Sequence, residues 1–406
     1  MTLVASRRTG LNPIPMLLLL ALGASVCVAQ SAATMDPQRQ QAFALEQQNK
    51  TAEAEAAWRG IVKAHPSDAE GYAHLGFLEA KQERYKEAVP LYRKALALDA
   101  AMPGLKMNLG LAQFKSGALK EAIETFSGLL EHEVAGSPEA LRLTTLIGIA
   151  HFGLGEFAAA VPDLKQATAA DTQNLPFRLM LAQSCLASKQ YQCVMDVYHE
   201  ILLLNAESAE ADILAGEALD EMQDHTQATQ QFRAAVKADP KAPNAHFGLG
   251  YLLWTQMQYE EAAENFKAEL EIDPNHAQSM AYLADCDIRM SQPEAALPLL
   301  KKALQVDSNN ELAHLNMGIL DADAGHQEDA LVELRKAVTL RPSDVNAHFR
   351  LARLLKAMGR KAEAQVEFDK TSSLTKTADD SVFSKLNAAR AKGSSANAGT
   401  ETPANR

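Results

Sequence analysis

A 34-residue spacing of small and bulky residues recurs ten times along this chain, and it constrains the fold more than any other feature. The eighth position of each unit holds Ala42, Gly76, Gly110, Gly148, Ala182, Gly216, Gly250, Ala284, Gly318 and Ala352, always Gly or Ala. The twentieth holds Ala54, Ala88, Ala122, Ala160, Val194, Ala228, Ala262, Ala296, Ala330 and Ala364. The twenty-fourth is always large and apolar: Trp58, Tyr92, Phe126, Leu164, Tyr198, Phe232, Phe266, Leu300, Leu334 and Phe368. Pro66, Pro240, Pro274 and Pro342 punctuate unit exits. A fixed period of this length implies stacked supersecondary units, each burying its apolar face on its neighbours. The core then grows one unit at a time, so the 406-residue length does not translate into two or three globular domains.

Each unit reads as two amphipathic helices. In residues 243–276, Leu249, Gly250 and Leu253 form one stripe at helical spacing, and Ala262 and Phe266 form a second. Met257-Gln258-Tyr259 makes the turn between them, and Asp273-Pro274-Asn275 ends the second helix. Small residues at positions eight and twenty mark the closest helix crossing, where a larger side chain would overpack the contact. Pro90, Pro162 and Pro298 share one position, expected near the start of the second helix, where a missing N–H costs little.

These residues resemble the tetratricopeptide repeat family, whose period is 34 residues. The register covers 35–68, 69–102, 103–136, 141–174, 175–208, 209–242, 243–276, 277–310, 311–344 and 345–378. Ser137 to Ala140 interrupt it and are expected to form a longer loop. The expected fold is therefore all-α, a right-handed α-solenoid of about ten helix-turn-helix repeats spanning 35–378. Val382, Phe383, Leu386 and Ala389 place an apolar stripe on an expected capping helix, 379–392, before a polar tail at 393–406 expected to be disordered.

The first residues carry a separate signal. Arg7 and Arg8 precede an apolar stretch from Met16 to Ala29, the layout of a secretory signal peptide spanning 1–29, followed by a short linker at 30–34. Cleavage is expected after Ala29, with Ala33 the second choice, and the apolar run is too short for a comfortable membrane span. Ser6-Arg7-Arg8 also resembles a twin-arginine signal, but Gly10 stands where that signal has an aromatic residue. The expected location is therefore periplasmic or secreted, with no integral span after cleavage. A formal charge of −12 argues against a nucleic-acid partner, which calls for clustered Lys and Arg. Cys185 and Cys193 lie on consecutive helices of one hairpin, so a disulfide is conceivable; small buried hydrophobes are the preferred reading.

Catalytic constellations are missing from the sequence. His132-Glu133 stands alone, Cys-x-x-Cys and a phosphate-binding loop are absent, and Gly153-Leu154-Gly155 and Gly248-Leu249-Gly250 fall inside the repeat. His246, His314 and His348 occupy position four of different units, too dispersed for one metal. No catalytic residue, metal or cofactor is assigned. The resemblance implies that positions two, five, nine, twelve and thirteen of each first helix line a concave groove. Met107, Leu111, Phe114, Ile149 and Phe152 occupy such positions, with Leu179 and Leu186, and so do Phe247, Tyr251 and Trp254. For the earlier group, a groove and packing between repeats weigh equally; the last three favour the groove, since large exposed apolar patches mark interaction sites. Glu217 and Asp220, with Glu210 and Glu221, add an acidic stretch, and Arg350, Arg353 and Lys356 reverse the sign in the last unit. Position five never holds Lys, so the carboxylate clamp of some family members is not supported. The resulting expectation is a non-enzymatic scaffold of the bacterial cell envelope that binds a peptide or protein segment; the alternative is an envelope glycan or other polymer.

Overall fold

The computed structural model describes residues 36–377. The expected signal peptide, linker, capping helix and tail lie outside the described residues. The chain divides into two compact units, the first ending at Asp224 and the second beginning at His225. Among the described residues every regular element is a helix.

In the first unit, five hairpins pair α1 (Pro37–Gln47) with α2 (Thr51–Ala64), α3 (Ala69–Lys81) with α4 (Tyr85–Leu98), and α5 (Leu105–Lys115) with α6 (Leu119–Leu130). The next are α7 (Pro138–Gly153) with α8 (Phe157–Ala170), and α9 (Leu175–Ala187) with α10 (Tyr191–Leu204); α11 (Ala209–Glu221) follows. The second unit opens with α12 (His225–Ala238) and continues with α13 (Ala245–Thr255), α14 (Tyr259–Ile272), α15 (Ala277–Arg289) and α16 (Pro293–Val306). It ends with α17 (Glu311–Asp323), α18 (Gln327–Leu340), α19 (Val345–Ala357) and α20, residues 361–377. Within each unit, helices pack on their sequence neighbours, and first helices of successive hairpins also touch, as α9 does α11 and α15 does α17. This is an all-α solenoid.

The periodic residues do what their sizes require. Ala at position twenty and the bulky residue at twenty-four fill the hairpin interior; Trp58, Phe126 and Phe266 are fully buried. A Cβ on Gly76 would lie 2.7 Å from the Tyr92 ring, and one on Gly250 would lie 2.9 Å from Phe266. The missing side chain is thus what admits the large one. Position fifteen, in the turn, adopts a left-handed backbone in every unit, from Asn49 and Glu83 to Gly325 and Gly359. Position thirty-four caps the following first helix: Asn174, Ser208, His276, Asn310 and Asp344 each accept a backbone N–H three residues on.

Two local expectations are corrected. Ser137 to Ala140 do not form a longer loop. Ser137 caps α7 and Pro138 starts it, so the insertion supplies the first turn of a 16-residue helix. Pro90, Pro162 and Pro298 lie inside α4, α8 and α16, each at the sixth residue and beyond the first turn. The bond each removes is an interior one, and all three rings are exposed, leaving the freed carbonyl to water.

Candidate functional site

The first helices carry every residue expected to line a groove, and packing uses most of that surface. Phe114 and Ile149 are buried in one apolar cluster, with Met107 and Leu111 packed against it. Phe152 packs on the next cluster, as do Leu179 and Leu186, and its ring meets Phe157 edge-on. For these side chains packing between repeats describes the arrangement. Glu217 is half-buried and Asp220 buried on α11, and both engage other groups of the protein.

The aromatic stripe on α13 is closed in the same way. Phe247 is 5% and Tyr251 8% exposed, against an expectation of open groove. The cause is Tyr282, position six of the next unit, whose ring lies 6.0 Å from Phe247, 5.7 Å from Tyr251 and 5.1 Å from Trp254. Trp254 stays half-buried; its Nε1 donates to Asp285 Oδ2 at 2.7 Å, and the Arg289 guanidinium sits 5.6 Å above the ring. Burial raises the Tyr282 hydroxyl pKa, so it stays protonated. Position six was absent from the expected groove positions, yet it decides whether positions five, nine and twelve are covered. At the other end of the chain His74, also position six, stacks on Trp58 at 4.5 Å and meets Phe43 at 4.7 Å.

Further along the second unit, position six changes chemistry. Asn316 on α17 is 1% exposed, and its Nδ2 has no hydrogen-bond partner among the described residues. Arg350 on α19 holds the same position one unit later, with Nε buried and equally unpartnered. Beside it Phe349 is 40% exposed, and the Arg353 guanidinium lies 6.0 Å over its ring. The comparison with Phe247 is direct: both phenylalanines stand at position five and pair with the bulky residue at twenty-four. Among the described residues, only Phe247 is covered by an aromatic residue from a following hairpin.

Buried polar groups elsewhere hold helices together. Glu269 accepts the backbone N–H groups of Asn244 and Phe247, capping α13 with a buried carboxylate. His314 lies 2.5 Å from Glu333 and 3.1 Å from the Ser308 carbonyl; His348 lies 2.5 Å from Glu367 and 3.0 Å from the Pro342 carbonyl. His246 bridges Asn265 and the Pro240 carbonyl in the same manner. These three histidines clamp first helix, second helix and preceding turn. Among the described residues, no three His, Cys, Asp or Glu side chains converge on a metal position. No described helix is long and apolar enough to cross a membrane.

An array of such hairpins defines a class, the helical repeat scaffolds. Models of the tetratricopeptide repeat match residues 40–104, 79–147 and 213–277, and the chain is a tetratricopeptide repeat protein. A peroxisomal targeting signal receptor of Kluyveromyces lactis is 33% identical over 97 residues, which are 24% of this chain and 17% of that protein. Among solved structures, a tetratricopeptide repeat protein of Parabacteroides merdae is 18% identical over 62% of this chain and 97% of its own, with a TM-score of 0.47. YrrB, described as a tetratricopeptide repeat protein with an unusual peptide-binding site, is 20% identical over 47% of this chain and 97% of its own, with a TM-score of 0.35.

Proposed function

We propose that this protein is a non-enzymatic interaction scaffold of the bacterial cell envelope, and that it binds a peptide or protein segment along the first helices of its second unit. Tetratricopeptide repeats are in general interaction scaffolds without catalytic activity. The observation that carries the finer reading is the pair of buried donors, Asn316 Nδ2 and Arg350 Nε, which find no acceptor among the described residues. A buried donor left unmade costs about 1–3 kcal/mol. Both atoms are closed off as they stand, so a bound segment's backbone carbonyls would satisfy them as the two side chains turn toward it, and the exposed Phe349 next to Arg350 offers apolar contact. The relative named as a receptor for a targeting signal supports a short protein segment as ligand. The envelope location is supported by the leader-like residues 1–29. The glycan reading loses its main support, because Tyr251 is buried and Tyr282 and Arg289 occupy the Trp254 ring.

Asn316→Leu tests this reading through two opposed readouts. Peptides selected by the full chain from a displayed library are expected to bind the variant at least about tenfold more weakly, since one acceptor then faces an apolar group. Stability in urea is expected to hold or rise, because an unmade buried donor has been removed. Unchanged binding, or failure of any peptide to be selected, sinks the site; a lectin-type signal on a glycan array would put the polymer reading in its place.

A further inference from the structure

The fifth hairpin carries the one covalent crosslink among the described residues. Cys185 on α9 and Cys193 on α10 form a disulfide with Cα atoms 5.9 Å apart, where small buried thiols were the preferred expectation. It sits at the hairpin whose twentieth position is Val194 in place of the Ala found in the other nine units. The bulkier Val sits at the crossing, and the bond ties the same two helices toward their shared turn. Helix α10 in turn holds α11 by two phenols: Tyr191 donates to Glu221 Oε2 at 3.3 Å, and Tyr198 to Asp212 Oδ1 at 2.9 Å. One phenol reaches each end of α11, the helix that carries Glu217 and Asp220.

The two sulfurs differ in access. Cys185 is fully buried, whereas Cys193 is part-exposed and lines an open cleft of about 460 Å³ with Lys189, Gln190, Tyr191, Gln192 and Met222. The Lys189 ammonium favours approach of an anionic thiolate. Cys286, the third described cysteine, is a buried thiol; burial first, then Asp285 and Asp287, push its pKa up to about 12, so it stays protonated.

We propose that Cys185–Cys193 is a reducible staple whose redox state sets the order of α9 and α10 and, through Tyr191 and Tyr198, of the acidic helix α11. A dithiol reductant supplies the chemistry. Its thiolate attacks the Cys193 sulfur, the disulfide breaks, and Cys185 leaves as a thiolate that takes up a proton. The second reductant thiol, as thiolate, then displaces Cys193, which is protonated in turn. The reductant closes to its own disulfide, and two electrons and two protons have passed to the protein. Oxidised, the staple removes open conformations from a loop with a sequence separation of eight.

The full chain, purified without reductant and alkylated while denatured, should yield peptides with Cys185 and Cys193 linked and Cys286 alkylated. Alkylation of both before any reduction overturns the proposal. Hydrogen exchange with and without dithiothreitol then tests the consequence. Reduction should speed exchange in 175–221 by on the order of 50-fold and leave 37–98 unchanged. Cys193→Ala, which keeps Cys185 as a small buried group, should reproduce the reduced pattern without reductant. Equal protection in both redox states, or a change spread evenly over 36–224, refutes the staple, as does a Cys193→Ala protein that exchanges like the oxidised one.

Discussion

At the scale of single residues, the eighth and twenty-fourth positions form one object divided between two helices. A Cβ on Gly110 would lie 2.5 Å from the Phe126 ring, whereas on Gly148 it would meet Asp163 Cβ at 2.8 Å and the Leu164 backbone nitrogen at 3.3 Å. Where position twenty-four is Phe or Tyr, the ring fills the glycine notch. Where it is Leu, as at Leu164 and Leu334, the backbone of the second helix comes closer. Gly110→Ala should therefore cost about 1–3 kcal/mol through overpacking. Adding Phe126→Leu should return part of that loss, because the contact being strained is removed. Urea unfolding of the two single variants and the double measures it; strictly additive losses would mean that the notch and the ring are independent.

At the scale of elements, the starts and turns of the helices explain what was legible. Hairpin count, register and crossing points follow from small residues at eight and twenty, because helices in contact tolerate little else there. The turn is less readable: position fifteen is left-handed in all ten units, yet Glu83, Lys189, Gln223, Met257 and Ser291 occupy it with ordinary side chains. The proposed interaction site is less readable still. Coverage of Phe247 depends on a single residue 35 positions on, Tyr282, which no position of its own unit announces. Helix starts also make stability depend on pH. Glu311, the first residue of α17, has Oε1 buried with no hydrogen-bond partner among the described residues, while Oε2 meets Arg341 at 3.1 Å. Burial raises its pKa to about 7, with Arg341 pulling the other way. The folded state then holds a proton that the unfolded chain releases near pH 4.5. Ionised Glu311 thus weakens folding increasingly as pH rises from that value to about 7, and by a constant amount above it. Relative to the parent, Glu311→Gln should gain stability between pH 5 and pH 8. His276 carries the opposite sign: burial lowers its pKa, against Glu269 and Asp273, so its contribution is lost as pH falls through 6.5 and below. A parent-minus-variant difference that stays flat with pH would show that Glu311 does not titrate in this range.

At the scale of the whole molecule, a repeat array has no single centre, so damage should be felt by distance along the chain. In the second unit α17 touches α18 in its own hairpin, α16 before it, and α15 and α19 as the neighbouring first helices. Gly318 sits where a Cβ would lie 2.7 Å from Leu334 Cγ and 3.1 Å from the Leu334 backbone nitrogen, so Gly318→Leu forces α17 from α18 at the crossing. A globular core would distribute that strain and lose protection everywhere together. Nearest-neighbour coupling instead confines it. Hydrogen exchange should accelerate most in α17 and α18, less in α15, α16 and α19, and hardly at all in α13 and α14. The size of the step between hairpins then measures the interface between them, which is the quantity a bound segment spanning Asn316 and Arg350 would strengthen. A uniform acceleration across residues 225–377 would mean that the second unit unfolds as one body. A ligand seated on two hairpins would then stabilise all of its hairpins alike.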